Sequence, residues 1–457
     1  METLKKIFSL LGLLLILCGQ ALGADTTTPS LGLTKPAIGS ASWAPKINTD
    51  LDILDAAIWP VINVMTYGVV GDGVTDDTAA FQAAIDAAPD FSTLLIPAAT
   101  KIRTTAAVNI VSRAGLKIVG GGSNGGVGLN TGFVSQIYYD GANDGVVLNV
   151  DGSRELAFEN FTVNANAKAV TGIQFKSVSG SQAVTFNRMQ RLSIYAGSPA
   201  RSDFIAIDIC STGATNNCEL FTMQELVLNG ATAASGSIGI KIGHTNALTH
   251  TITESGISSF AMGIYNNNGS ARIANNLFDA NAIDIASSSP DTMMIEFNRT
   301  ERAKQFYKAL SSGGLVWMIG NRFGTPDATP GTWIDFSTGV GWTLMFVGNV
   351  FSGTPFVEVA PFGGSPAGQL VSIGNIYDSR HITSGAVTTW SVFSNIGYTS
   401  LNDSTTDGLP LTSRFNAGAL IAGGLKTTGA ASGKKVVCVD TSTGQLYASS
   451  TGVDCSN

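Results

Sequence analysis

The sequence predicts an all-β chain whose short strands stack as the rungs of a solenoid, and two observations predict it. The first is composition. Of 457 residues 44% are hydrophobic, only 13% are charged, and 53 are glycine. A typical globular protein is roughly a quarter charged, and disordered chains are charge-rich and poor in apolar residues, so the chain reads as folded, extended and repetitive. The second is a phrase that returns: Asn276-Leu277-Phe278, Asn298-Arg299-Thr300, Asn321-Arg322-Phe323, Asn349-Val350-Phe351 and Asn375-Ile376-Tyr377. The steps between asparagines are 22, 23, 28 and 26 residues, the period of one solenoid rung. Three copies follow an apolar residue and glycine, at Ile319-Gly320, Val347-Gly348 and Ile373-Gly374. Asparagine suits a left-handed turn, and stacked amides can bond up the column. A structural role for these asparagines therefore outranks sugar binding.

The elements follow in order. Lys5 and Lys6 precede an apolar run from Ile7 to Cys18, and Ala21-Leu22-Gly23 follows. That pattern predicts a secretory signal over 1–23, removed on export, with a run too short to span a bilayer. No later segment is long and apolar enough to cross a membrane, so the expected location is extracellular. Residues 24–60 form a leader. In it Ile47, Leu51, Leu54 and Ile58 recur with helical spacing, between Pro45 before the helix and Pro60 at its end.

Val64 to Gly68 then reads as a strand, Gly71-Asp72-Gly73 as a tight turn, and Thr75-Asp76-Asp77 as the start of a helix. Side-chain oxygens there can accept bonds from the orphan N–H groups of a first turn. Phe81, Ala84, Ile85 and Ala88 make one apolar stripe, and Leu94-Leu95-Ile96-Pro97 and Leu116 to Gly122 supply further strands. This stretch, about 61–125, resembles the N-terminal cap of the pectate lyase superfamily, a group that includes pectate lyases, polygalacturonases, rhamnogalacturonases and phage tailspikes. The resemblance implies a right-handed, single-stranded parallel β-helix over 61–380. Its capping helix would plug the end where open strand edges invite aggregation. Capping outranks chemistry for Asp72, Asp76 and Asp77.

The family resemblance implies a secreted enzyme, glycoside hydrolase or polysaccharide lyase, acting on an acidic or plant or bacterial glycan. The activity motifs depart from it. Polygalacturonase-type hydrolases carry Asn-Thr-Asp, Asp-Asp, Gly-His-Gly and Arg-Ile-Lys. Here Asp76-Asp77 belongs to the cap, His244 sits in Gly243-His244-Thr245, and Arg272-Ile273 leads to Ala274. The other class is a non-catalytic adhesin or tailspike-like fibre module, a rigid glycan-facing spike whose assembly would be a homotrimer. The expected partner in both cases is a polysaccharide. Nucleic acid is not expected, because Lys plus Arg is 26 against Asp plus Glu 33, net −7, with no basic run. No cofactor is expected, calcium entering only if the chain is a lyase.

Repeat counting supplies the candidate site. The 22-residue step sets Asp279 beside Glu301, one rung and about 4.8 Å apart, where adjacent carboxylates disfavour each other's ionisation and could act as a catalytic acid pair. The 23-residue step stacks Arg299 on Arg322, suited to holding an anionic sugar. Alternation puts Trp333 on the face of Asp335, as an exposed sugar-stacking candidate. An excursion with two prolines spans Thr325 to Gly331.

Export makes four cysteines readable: Cys210, Cys218, Cys438 and Cys455. Spacing favours two local disulfides, 210–218 and 438–455. The second would clamp a hairpin, Val436 to Val439 against Gln445 to Tyr447, in a C-terminal β tail over 381–457. His244, His250 and His381 lack ligand spacing to any cysteine, so no metal is expected.

Overall fold

The computed structural model describes residues 25–28, 33–37, 43–57, 61–123, 134–178, 183–198, 201–211, 217–233, 236–244, 246–311, 313–324, 333–336, 341–351, 359–360 and 369–376. It also describes the strands Thr389–Phe393, Thr412–Asn416, Ala419–Gly423, Val437–Val439 and Leu446–Ala448. The signal segment, the 325–331 excursion, His381 and Cys455 lie outside these residues. The chain divides into two compact units, Met1–Phe260 and Ala261–Asn457. Each contains three parallel sheets built from successive rungs, the right-handed parallel β-helix that the sequence predicts.

In the first unit one sheet runs through Val61–Asn63, Thr93–Ile96, Lys117–Gly120, Ala157–Glu159, Arg188–Gln190, Thr222–Gln224 and His250–Thr253. A second joins Asp72–Asp76 to Lys101–Thr104, Gln136–Tyr139, Thr162–Asn164, Ser193–Tyr195, Val227–Asn229 and Gly256–Ser258. A third stacks Val108–Val111, Val146–Asp151, Thr171–Lys176, Ile205–Ile209 and Ile238–Ile242. Alternation along each strand sends residues such as Ile118, Phe158, Met189 and Met223 inward, all at most 1% exposed.

The cap helix is Thr78–Ala87. Its stripe of Phe81, Ala84, Ile85 and Ala88 is buried, as the spacing predicts. The acidic residues divide the work differently from a plain helix start. Asp76 caps, accepting from the Thr78 backbone N–H at 3.1 Å and from the Thr105 hydroxyl at 2.7 Å. Hydrogen bonds from the Thr78 and then the Thr105 hydroxyl hold its carboxyl below the usual range. Asp77 makes no cap bond. It is buried, and accepts from the Val70 and Gly71 N–H groups at 2.8 and 3.1 Å, clamping the glycine turn. Gly71 needs to be glycine: its φ is +68°, and a Cβ would lie 2.4 Å from the Thr100 methyl.

The leader helix is Trp43–Ala57. Pro45 falls inside its first turn rather than before it, which costs nothing because that N–H has no helical partner. Asp50 ties the helix to Thr34, whose N–H donates to it at 2.7 Å. Ile47 and Leu51 of its apolar stripe are exposed, and Ile58 and Pro60 lie outside the described residues. Among the described residues no helix is long and apolar enough to cross a membrane.

In the second unit one sheet holds Ala271–Ala274, Thr292–Glu296, Gly314–Ile319, Trp342–Val347, Gln369–Ile373 and Thr389–Phe393. A second holds Leu277–Asp279, Arg299–Glu301, Arg322–Phe323 and Val350–Phe351. A third holds Met262–Asn266, Ile283–Ser287, Gln305–Ala309, Ile334–Asp335 and Val359–Ala360. The repeated asparagines are buried and form a ladder. Each side-chain amide donates to the carboxamide oxygen one rung on, 276 to 298, 298 to 321, and 321 to 349 at 3.0 Å, and 349 to 375 at 2.9 Å. The same oxygens accept the backbone N–H of the preceding asparagine. One expectation is corrected. The left-handed residue is the one before each asparagine: Asn275, Phe297, Gly320, Gly348 and Gly374 all have φ between 52° and 64°. That explains the glycine in three copies, and leaves asparagine chosen for its amide.

Cys210 and Cys218 are joined by a disulfide with Cα atoms 6.4 Å apart. Val437–Val439 pairs antiparallel with Leu446–Ala448 in the tail hairpin, with Cys438 opposite Tyr447.

Candidate functional site

The candidate flank is the outer surface of Leu277–Asp279, Arg299–Glu301 and Arg322–Phe323. In each strand the middle or last residue, Phe278, Thr300 and Phe323, turns inward and is fully buried. The neighbours must then face out. The register is the one repeat counting predicts: Asp279 pairs with Glu301, and Arg299 lies between Leu277 and Arg322. The four residues are brought together on one face.

Their chemistry differs from an acid pair. Asp279 is held by Arg302 through two parallel bonds, one at 2.8 Å from Nε and a second from an η nitrogen. Glu301 is paired with Arg299. The arginines occupy carboxylate oxygens that an acid or nucleophile would turn toward a substrate. Arg302, which repeat counting passed over, is a left-handed residue at φ 53°. Asp279 raises its pKa above the ordinary guanidinium value. Its signal in the sequence was the run Arg299-Thr300-Glu301-Arg302, read one residue too short. Arg322 makes no ion pair among the described residues.

Beneath this flank Asp284 is a carboxyl group with a raised pKa. It is fully buried, and burial pushes it up to about 8. The Thr300 hydroxyl and the Asn281 amide, the latter at 2.9 Å, donate to it and oppose that shift, while the charge of Asp279 adds to it. Alternation in Ile283-Asp284-Ile285 would turn the aspartate outward between inward isoleucines, whereas Asp284 and Ile285 are both buried, so the sequence pattern did not signal it.

Trp333 is corrected outright. It is 1% exposed and packs on Phe323, ring centroids 5.6 Å apart. It stands just ahead of Ile334–Asp335, with its carbonyl accepting the Phe306 and Tyr307 N–H groups, so the strand alternation used to expose it does not reach it. Its supposed companion Asp335 is itself only 9% exposed.

In the first unit the outward charges of the first sheet and of the turns that follow it also pair between rungs. Glu159 takes Lys117 at 2.9 Å on one side and Arg188 on the other, and Glu225 takes Arg191 at 2.6 Å. His250 is buried edge-on to Phe221, and burial lowers its pKa to about 4. Among the described residues no group of three or more His, Cys, Asp or Glu side chains is placed to hold a metal.

No family model matches the chain, and no curated protein matches it in sequence. Solved structures match by shape. A surface adhesin of Streptococcus pneumoniae aligns at 13% identity over 74% of this chain and 97% of its own, TM-score 0.42. The A-module of a mannuronan C-5 epimerase of Azotobacter vinelandii aligns at 15% over 76% and 100%, TM-score 0.42. The catalytic unit of a thermostable α-1,3-glucanase of Streptomyces thermodiastaticus aligns at 12% over 83% and 71%, TM-score 0.47.

Proposed function

We propose that the protein is an extracellular β-helix that binds an acidic polysaccharide on the flank formed by Asp279, Arg299, Glu301, Arg302 and Arg322. The observation that carries this reading is the stacking of Arg299 and Arg322 on consecutive strands, both exposed, with Arg322 lacking an ion-pair partner among the described residues. A planar guanidinium there suits a uronate carboxylate, which it can meet with two parallel bonds. Arg299 can exchange Glu301 for the ligand at little cost, because exposed pairs contribute little. Export fits the disulfide at Cys210–Cys218, since such bonds persist in oxidising compartments.

The second reading is glycan cleavage by Asp279 and Glu301, favoured by their direct pairing across adjacent strands. The test incubates the mature protein with polygalacturonate, other pectins and bacterial polysaccharides. Binding without new reducing ends supports the first reading. New reducing ends alone make it a hydrolase, and unsaturated uronate absorbance makes it a lyase, in which case calcium dependence is measured. Arg322→Ala should weaken polygalacturonate binding about tenfold, the order expected for one charge-assisted contact. Undiminished binding by that variant overturns the site. A homotrimer belongs to the spike form of the reading, and light scattering of the intact chain decides it.

A further inference from the structure

The inside of a rung is where apolar side chains belong, yet the second unit places a carboxyl group there. Asp284 sits in Ile283–Ser287, where the flanking pairs Ile283–Gln305 and Ile285–Tyr307 set Phe306 beside it in the next strand. The preceding strand offers Gly263 at the same level, between residues that pair with Ile283 and Ile285. Among the described residues no Lys, Arg or His forms an ion pair with Asp284. Its bonds come from Thr300 and Asn281, and the charge bearing on it is the carboxylate of Asp279, itself held by Arg302. Two neutral hydrogen bonds do not offset the cost of burying an ionised carboxylate.

Both bonds lead to the flank. Thr300 stands between Arg299 and Glu301, and is the polar member of an inward column whose neighbours are Phe278 and Phe323. Asn281 follows Asp279 by two residues, in the turn that runs from the second sheet to the third. We infer that Asp284 is a positioning residue for the charged flank: uncharged and bonded to Thr300 and Asn281, it holds the 279–284 turn against Arg299–Glu301 and so fixes the groups that meet the ligand. This rests on the binding reading above. Ionisation would put a charge in the interior beside Asp279, and the turn would loosen to let water reach it. Burial keeps the group uncharged up to about pH 8, so the flank is set at neutral pH and released in alkali.

The experiment follows polygalacturonate affinity by calorimetry from pH 6 to 10 for the wild type, Asp284→Asn and Asp284→Leu. In parallel, amide protection of residues 277–284 and 299–302 is measured without ligand. Wild-type affinity should be level to about pH 8 and then fall about tenfold per pH unit, the slope of a single linked proton. Asp284→Asn should bind like the wild type at neutral pH and show no such fall. Asp284→Leu, lacking both bonds, should be weaker throughout. Protection of the two segments should drop above the same pH in the wild type alone. An identical pH curve in the wild type and Asp284→Asn overturns the inference. If polygalacturonate binds none of them even at pH 6, the binding reading fails by itself. Protection then decides alone: a drop confined to the wild type upholds the positioning role, and an equal drop in both removes it.

Discussion

The two units build the same turn from opposite materials. Between the first and second sheets, the first unit sets Asn160, Arg191 and Glu225 in the left-handed region and buries Phe161, Leu192 and Leu226 after them. The second unit sets Asn275, Phe297, Gly320, Gly348 and Gly374 in the same region and buries asparagines. The backbone path is thus set by one left-handed residue per turn. The column behind it can be hydrocarbon or amide. Ser255 shows an intermediate case, at 2% exposure, with its hydroxyl accepting the Leu226 N–H at 3.0 Å.

Exchanging the materials should have the largest effect. Asn321→Leu, which installs a first-unit residue in the ladder, removes the acceptor for both the backbone N–H and the side-chain amide of Asn298. Two buried donors left unpaired should cost about 4 kcal/mol. Chemical denaturation followed by hydrogen exchange in 271–376 measures it, and a cost under about 1 kcal/mol would mean that the ladder is decorative. The reverse exchange sharpens the point. Phe161→Asn, Leu192→Asn and Leu226→Asn should each cost about 3 kcal/mol alone, from lost burial and an unpaired amide. Combined, they should cost less than their sum, because neighbouring amides can then bond to one another. Strict additivity would show that the first unit cannot accept a ladder.

The units should also respond to pH in opposite directions. His250 in the first unit is depressed to about 4 from 6.5. The unfolded chain therefore takes up a proton first as pH falls, and stability drops between about pH 6.5 and 4, at most by about 1.4 kcal/mol per unit. Asp284 in the second unit is raised from 3.8 to about 8. Its native form holds the proton that the unfolded chain has released, so that contribution is complete below about pH 4 and lost as pH rises through 8. Segment-resolved exchange should show the first unit loosening as pH falls from about 6.5 to 4, and the second as pH rises from about 4 to 8. His250→Phe and Asp284→Asn should each flatten one limb, and a variant that flattens the other limb would contradict the assignment. The smallest effect expected is from Cys210→Ser with Cys218→Ser, about 2 kcal/mol for so short a loop, read as a lower midpoint confined to the first unit. Peptide mapping without reduction tests the second pair, 438–455.

Much of this fold was legible because its strongest signals are local or periodic. The apolar stripe of Phe81, Ala84, Ile85 and Ala88 needs only helical spacing, and the asparagine column needs only the rung length. The same counting put Asp279 beside Glu301 and Arg299 beside Arg322. What it could not show was which third residue would reach them. Arg302 meets Asp279 because a left-handed residue redirects its side chain, which no period encodes. Asp284 and Thr300 meet across sheets, at a distance in sequence set by the turn rather than by the repeat. Trp333 misled because alternation holds only inside a paired strand, and the residue lies just ahead of one.

The asparagine column has a direction. Every carboxamide from Asn276 to Asn349 points its N–H toward the higher-numbered neighbour, so their dipoles lie head to tail and polarise one another along the stack. Its two ends are therefore unlike. The Asn375 amide keeps the backward bond of the other members, donating to the Phe346 carbonyl at 3.0 Å as Asn298, Asn321 and Asn349 donate to Ile273, Ile295 and Met318, and it also donates to the Ser372 hydroxyl at 3.0 Å. A rung inserted within the column would keep the electrical alignment only if its residue offered an oxygen and an N–H at the same height. Among the described residues the array keeps one sense from Asn276 to Asn375.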